Sequence, residues 1–325
     1  MRRIFVSIIA VLSIIAAVFF LGPREPYSGE MSFDVTQLGN DLDAYLAKRE
    51  GAYNDIREGL HKQIIWADSD KKQKTDFSIV YIHSFSGSSA DIRPVPDLVA
   101  KNLGANLFFT RLTGHGRTSH AMAEARPDDW LNDVLEAVTI GEKIGEKVIV
   151  VATSMGGSLA TLFPGAHPEL VKNIAGYVLI SPNYEVLDPT AVVLTWPWAR
   201  HFVPMIIGDM RGQTYENEKI NHAWTLPHAS QSLVALGKVR KEFTKVDLET
   251  IGAPALFIYS PNDQVISAKA IEDAMSKWGG PTDKLVLEKT GHILDHVIVG
   301  DILSPETNEI VITTINEWIA KHFQN

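Results

Sequence analysis

A mostly parallel, doubly wound α/β sheet with helices on both faces is the fold class this chain predicts, and three observations predict it. Short runs rich in β-branched and aromatic residues recur along the sequence, several of them apolar throughout, as strands covered on both faces are. Helical patterns fill the intervals between those runs, and strand alternating with helix calls for parallel neighbours joined by crossovers. One interval, residues 187–250, breaks this rhythm with an aromatic and helical insertion that would form a cap.

The elements follow in order. Met1-Arg2-Arg3 precedes IFVSIIAVLSIIAAVFFL, residues 4–21, a stretch of 18 residues without a charge. That approaches the ~20 residues of a membrane span and exceeds the ~7–15 of a signal-peptide apolar region. Residues 1–24 are therefore expected to be a membrane anchor or signal segment. No small-x-small cleavage site follows, which favours an uncleaved anchor. Arg2 and Arg3 would keep the N-terminus cytoplasmic and put the body on the extracytoplasmic side; a secreted or periplasmic body after cleavage is the alternative. Residues 25–35 read as a tether, and 36–325 as the folded domain.

From Thr36 to Lys48 the residues Leu38, Leu42, Tyr45 and Leu46 recur at helical spacing. Strands are expected at 63–66, 77–83, 106–110, 147–153, 176–181, 255–260 and 284–289. Helices are expected at Pro94–Leu103, Asp129–Ile144, Met155–Phe163, Ala268–Trp278 and 309–323, the last preceded by Ser304-Pro305, a capping residue with proline at the first helical position.

Composition narrows the function classes. The chain has 325 residues, 45% hydrophobic and 21% charged, an ordinary globular balance. A net charge of -9 leaves no basic field for nucleic acid. With no cysteine there can be no disulfide, thiolate nucleophile or Cys-ligated zinc, so a nucleophile must be an oxygen or an amine. Nothing in the sequence calls for a cofactor or an obligate protein partner.

Residues 148–162 read VIVVATSMGGSLATL, an apolar strand running into a serine ringed by small residues. Ser154 falls at a tight strand-to-helix turn, where the neighbours at minus two and plus two, Ala152 and Gly156, must be small to avoid collision. Such a turn aims the hydroxyl out of the sheet edge and points the amide of Met155 at a developing oxyanion. A Gly-rich phosphate cradle is the competing reading of the pentapeptide alone, but no Gly-x-Gly-x-x-Gly or Gly-Lys-Ser supports it.

Ala152-Thr153-Ser154-Met155-Gly156 resembles the nucleophile elbow of the α/β-hydrolase fold, with Ala for the usual first Gly. Asn262-Asp263 after one later strand and Gly291-His292 after the next arrive in the chain order that fold requires. The resemblance to its monoglyceride-lipase and carboxylesterase branch implies a triad of Ser154, Asp263 and His292. Tyr81-Ile82-His83-Ser84-Phe85-Ser86-Gly87 is similar to the loop that presents the second oxyanion amide, which by position is that of Phe85; Ser84 stands where that loop usually has Gly. The segment around Gly114-His115-Gly116 resembles a further family loop, so His83 and His115 are expected to be buried, architectural histidines. His292 and His296 are four apart, but Ile293 stands where a zinc-protease motif needs Glu, so no metal site is expected and His296 is read as a helix-face residue.

The implied chemistry is hydrolysis of carboxylic esters through an acyl-enzyme on Ser154, with a hydrophobic acyl ester as the small-molecule partner. Trp196, Trp198 and Phe202 are too apolar for a free loop, so they either pack on the core or line an acyl pocket. An amidase, peptidase or perhydrolase on the same fold, or a membrane-tethered binding protein without catalysis, are the rival readings.

Overall fold

The computed structural model describes residues 2–167 and 173–324, with side chains from Ile4 onward. Its strands are β1 (Gln63–Ile65), β2 (Thr75–Ile82), β3 (Asn106–Phe109), β4 (Gly145–Thr153), β5 (Ile174–Ile180), β6 (Met210–Arg211), β7 (His228–Ala229), β8 (Ala255–Tyr259) and β9 (Thr282–Val286). Its α-helices are α1 (Arg2–Phe20), α2 (Leu42–Glu50), α3 (Val95–Leu103), α4 (Pro127–Ile144), α5 (Met155–Ala166), α6 (Ala199–Ile207), α7 (Glu218–Ala223), α8 (Ser232–Phe243), α9 (Ala268–Lys277) and α10 (Asn308–Phe323).

Seven strands form one sheet in the order β1-β3-β2-β4-β5-β8-β9, parallel except for the β1 edge. Alternate residues of the central strands bury on opposite faces. Val80, Val150 and Leu179 meet α4, α5 and α8, while Ile79, Val151 and Val178 meet α3 and α10. Both faces are apolar because both are covered, which is why these strands read as solid hydrophobic runs. The chain leaves β2 in one direction and returns to place β4 on its other side, so the helices after these two strands lie on opposite faces. The C-terminal ends of β2 and β4 are therefore the switch point of the sheet, the position where doubly wound sheets bind ligands.

Three local expectations are corrected. The helix over Thr36–Lys48 is broken into a 3-10 turn, Val35–Leu38, and α2. Gly39, at φ +59°, breaks it, and Asp41 restarts it by accepting a hydrogen bond from the Ala44 amide. Ser304 does not cap the last helix: its hydroxyl donates to Val297 O at 2.6 Å, and α10 begins only at Asn308 after a turn at Pro305–Thr307. Finally, no helix among the described residues is long and apolar enough to cross a membrane. At 1.5 Å per residue α1 is about 28 Å long, just short of a ~30 Å hydrocarbon core. The spanning anchor expected for the N-terminus is thus not supported.

The C-terminal end of α1 instead meets the insertion. Trp198 donates from Nε1 to Val18 O (3.0 Å) and from its amide to Pro23 O (2.7 Å), and the ring of Trp196 packs edge-on against Phe19. Glu25 is buried between Arg126 and Arg200. Between β5 and β8 the chain forms a 3-10 turn at Pro189–Thr195, then α6, β6, α7, β7 and α8, with β6 and β7 paired as an antiparallel ribbon. Ala235, Leu236 and Val239 of α8 join the main core.

Candidate active site

Ser154 ends β4 and opens α5 with φ +51° and ψ −114°, a backbone region costly for any residue but glycine. Three hydrogen bonds hold it there. Its amide donates to Ile180 O (2.9 Å), and its carbonyl accepts from the amides of Asn183 (3.0 Å) and Ser158 (3.2 Å). The need for small neighbours is visible as contact. A Cβ on Gly156 would lie 2.2 Å from Ile82 O, and one on Gly157 would lie 2.7 Å from Pro182 Cβ. The turn is wedged between the ends of β2 and β5, which fixes where its hydroxyl stands.

Asp263 follows β8 and is buried. Its Oδ1 accepts from the amides of Val265 (2.7 Å) and Ile266 (3.0 Å), which orients the carboxylate and leaves Oδ2 facing His296 Nδ1 at 2.7 Å. His296 Nε2 lies 3.0 Å from Ser154 Oγ. Because a carboxylate only accepts, this network assigns the proton to Nδ1 and leaves Nε2 free to accept from the serine hydroxyl. Ser154 is 4% exposed and Asp263 7%, so the line of contacts is largely shielded from competing water.

The histidine expected in this place was His292, and the structure corrects that assignment. His292 Nδ1 accepts from the amides of His296 (3.4 Å) and Val297 (3.1 Å), and its own amide donates to Ser304 Oγ (3.1 Å). Burial and the neighbouring His296 both push its imidazole below the ordinary histidine value. His292 therefore shapes the loop instead of reaching Ser154. Nor does His296 lie on a helix face, since residues 291–300 form turns without helix. Asp295, at φ +49°, accepts from the Thr290 amide and hydroxyl, and this tight turn swings His296 back toward β8. Gly-His after a strand marks the right loop; the residue within it depends on this turn.

Met155 is the first residue of α5, so its amide is among those that have no partner inside the helix and face an anion at the N-terminus. Phe85 lies in the loop after β2, whose Ile82 and His83 carbonyls press on Gly156. Its ring packs edge-on against His228, with centroids 5.0 Å apart, and against His115 and Trp130. His83 Nε2 accepts from the Leu112 amide (3.0 Å) and Nδ1 donates to Ser84 O (2.9 Å). Burial pushes its imidazole down to about 4 and that of His115 well below the ordinary value. Both stay neutral and brace the loops, in keeping with their expected architectural place.

Trp196 and Trp198 contact α1 and the residues after it, and Phe202 packs with Ala199, Val203 and Val234. None of these contacts joins the three to the line Ser154–His296–Asp263.

Comparison with known proteins places the fold. A model described as the alpha/beta hydrolase family matches residues 79–298. Among solved structures, the metagenome-derived lipolytic enzymes LipS and LipT give a TM-score of 0.62 at 23% identity, covering 82% of this chain and all of theirs. A soluble variant of monoglyceride lipase from Saccharomyces cerevisiae, in complex with a substrate analog, gives 0.57 at 14% identity, covering 82% of this chain and 96% of its own. Est1E from Butyrivibrio proteoclasticus with bound ferulic acid gives 0.52 at 13% identity, covering 84% of this chain and 100% of its own.

Proposed function

Since the chain belongs to the alpha/beta hydrolase family, we propose that it hydrolyses carboxylic esters through an acyl-enzyme on Ser154. The observation that carries this reading is the continuous contact from Asp263 through His296 to a serine held at positive φ. His296 Nε2 takes the Ser154 proton as Oγ bonds to the ester carbonyl carbon. The carbonyl oxygen gains the charge and rests on the amides of Met155 and Phe85. Collapse breaks the ester C–O bond, and His296 returns the proton to the leaving alkoxide. A water then adds to the acyl carbon with His296 again as base, and the acid leaves Ser154 free.

A fluorophosphonate probe tests this directly. The wild type should be labelled on Ser154 and should turn over p-nitrophenyl butyrate, and Ser154→Ala should do neither; full activity of that variant would refute the assignment. An anilide and a peroxide assay in parallel separate the amidase and perhydrolase readings, and failure to label would leave the binding-protein reading.

The substrate class we infer is a hydrophobic acyl ester. Val192, Trp196, Met205 and Ile206 of the insertion are exposed, as is α1 from Ile4 to Phe20, and Trp196 and Trp198 connect the two. Such a surface favours a lipid boundary over open water, and Trp196, Trp198 and Phe202 are our aromatic candidates for acyl contact. Fractionation of the full chain against a form lacking residues 1–24, with esters of increasing chain length, tests both parts. A soluble full chain with no chain-length preference would overturn them.

A further inference from the structure

The loop that carries Phe85 is a strained turn. Gly87 N donates to Ser84 O at 3.0 Å, closing residues 84–87, and Ser86 inside it has φ +59°. A serine in that conformation is strained and persists only where its surroundings hold it.

Asp91 supplies a hold. Its Oδ2 accepts from both the amide (3.1 Å) and the hydroxyl (2.8 Å) of Ser84, and its Oδ1 accepts from Tyr81 OH (2.5 Å). Tyr81 OH lies 3.3 Å from Thr153 Oγ1, the residue before the nucleophile. Asp91 is 1% exposed and Tyr81 fully buried. A Cβ on Gly87 would sit 2.4 Å from Asp91 Oδ2 and equally close to Ser84 Oγ, so the turn leaves room for this contact and nothing more. One carboxylate thus ties the turn beside Phe85 to the strand end that presents Ser154.

We propose that Asp91, acting through Ser84 and Tyr81, is a positioning residue that holds the Phe85 amide in register with Ser154 for stabilisation of the oxyanion. The inference rests on the acyl-enzyme reading above. A carboxylate can accept from all three donors at once; an amide at position 91 cannot, and a residue at 84 without a hydroxyl withdraws one donor. What loosens is the aim of an amide that matters only once charge has developed on the carbonyl oxygen.

The test uses Asp91→Asn and Ser84→Ala in the full chain, with p-nitrophenyl butyrate as substrate and an aryl trifluoromethyl ketone as the oxyanion-forming inhibitor. Each variant should lose roughly 10- to 100-fold in kcat with KM changed by less than about twofold, and its inhibition constant should rise by the same factor as kcat falls. Unchanged kcat and inhibitor affinity overturn the proposal. So does a loss spread over KM together with a lowered Tm, the pattern of a merely structural role. Ser84→Ala removes a single oxygen and keeps the test alive if Asp91→Asn does not fold. A failure of the underlying reading is distinguishable, because it appears as an active Ser154→Ala variant whatever these two do.

Discussion

His296 Nε2 stands 3.0 Å from Ser154 Oγ, whereas His292, four positions earlier, directs its Nδ1 at the amides of His296 and Val297. The two imidazoles should therefore separate on substitution. His296→Ala is expected to lose ~10²–10⁴-fold or more in kcat as a missing general base. His292→Ala should keep activity within about tenfold and lose ~1 kcal/mol of stability through its broken loop contacts. Steady-state turnover of p-nitrophenyl butyrate with urea unfolding checks both, and the reverse ranking would return the base to His292.

That pair also marks how far the sequence could be read. Ser154 was legible because its constraint is local: a strand, a tight turn and a helix leave room only for small neighbours, and Gly156 indeed lies against Ile82 O. Asp263 was legible because it lies in the short turn after its strand, with no competing acid there. The base was not, since two histidines share the loop after β9 and the choice depends on the Thr290–Asp295 turn, formed by side chains the pattern of apolar residues does not report. The same holds for Ser304, whose place before a proline suggests a helix cap but whose hydroxyl serves Val297 and His292. Likewise the periodicity over 36–48 is real, yet Gly39 interrupts it because backbone conformation overrides apolar spacing.

Asp263→Asn should keep the fold and lose on the order of 10³–10⁴-fold in kcat. The amide oxygen can still accept from Val265 and Ile266, which turns the amide nitrogen toward His296 Nδ1. Nδ1 must then accept, the proton moves to Nε2, and Nε2 no longer takes the serine proton. Circular dichroism should match the wild type while fluorophosphonate labelling slows by a similar factor. Full labelling rate would mean another acid orients the ring.

Asp91 should leave a signature in the pH dependence of stability. Burial pushes its carboxyl up to about 6, against the opposing hydrogen bonds from Tyr81 and Ser84. A folded value above the unfolded one means that the group stabilises the fold while protonated, below pH ~4, and that this stability is lost as pH rises through 6. The loss is on the order of 3 kcal/mol from the size of the shift. Tyr81, the titratable group bonded to it, is itself held neutral by burial and by the Asp91 charge. Urea unfolding at pH 4 and pH 8 should therefore favour Asp91→Asn over the wild type by more at the higher pH. An equal difference at both would show that the fold does not raise the Asp91 carboxyl above its unfolded value.

Lys62 carries a larger structural load away from the hydroxyl chemistry. It is 6% exposed, donates to Asp133 (2.9 Å) and contacts Glu136, while Tyr45 OH donates to Glu136 at 2.5 Å. Asp133 in turn accepts from the amide (2.6 Å) and hydroxyl (2.8 Å) of Thr113, next to the Leu112 amide that His83 accepts from. Burial alone would discharge the ammonium, but the two carboxylates outweigh it and raise its affinity for the proton above that of an ordinary lysine. Lys62→Met leaves Asp133 without its cation and Glu136 with only the half-exposed Arg49 at 3.5 Å, which costs about 3–5 kcal/mol. Because the folded value lies above the unfolded one, the wild type should hold this stability through neutral pH and lose it only in strong alkali, above the ordinary lysine range. Replacing Lys62, Asp133 and Glu136 together by Met, Leu and Leu should recover most of the loss, since no buried charge is then left unpaired and Arg49, which also faces Glu136, is half exposed. A single Lys62→Met variant as stable as the wild type at pH 7 would show that the carboxylates are satisfied without it.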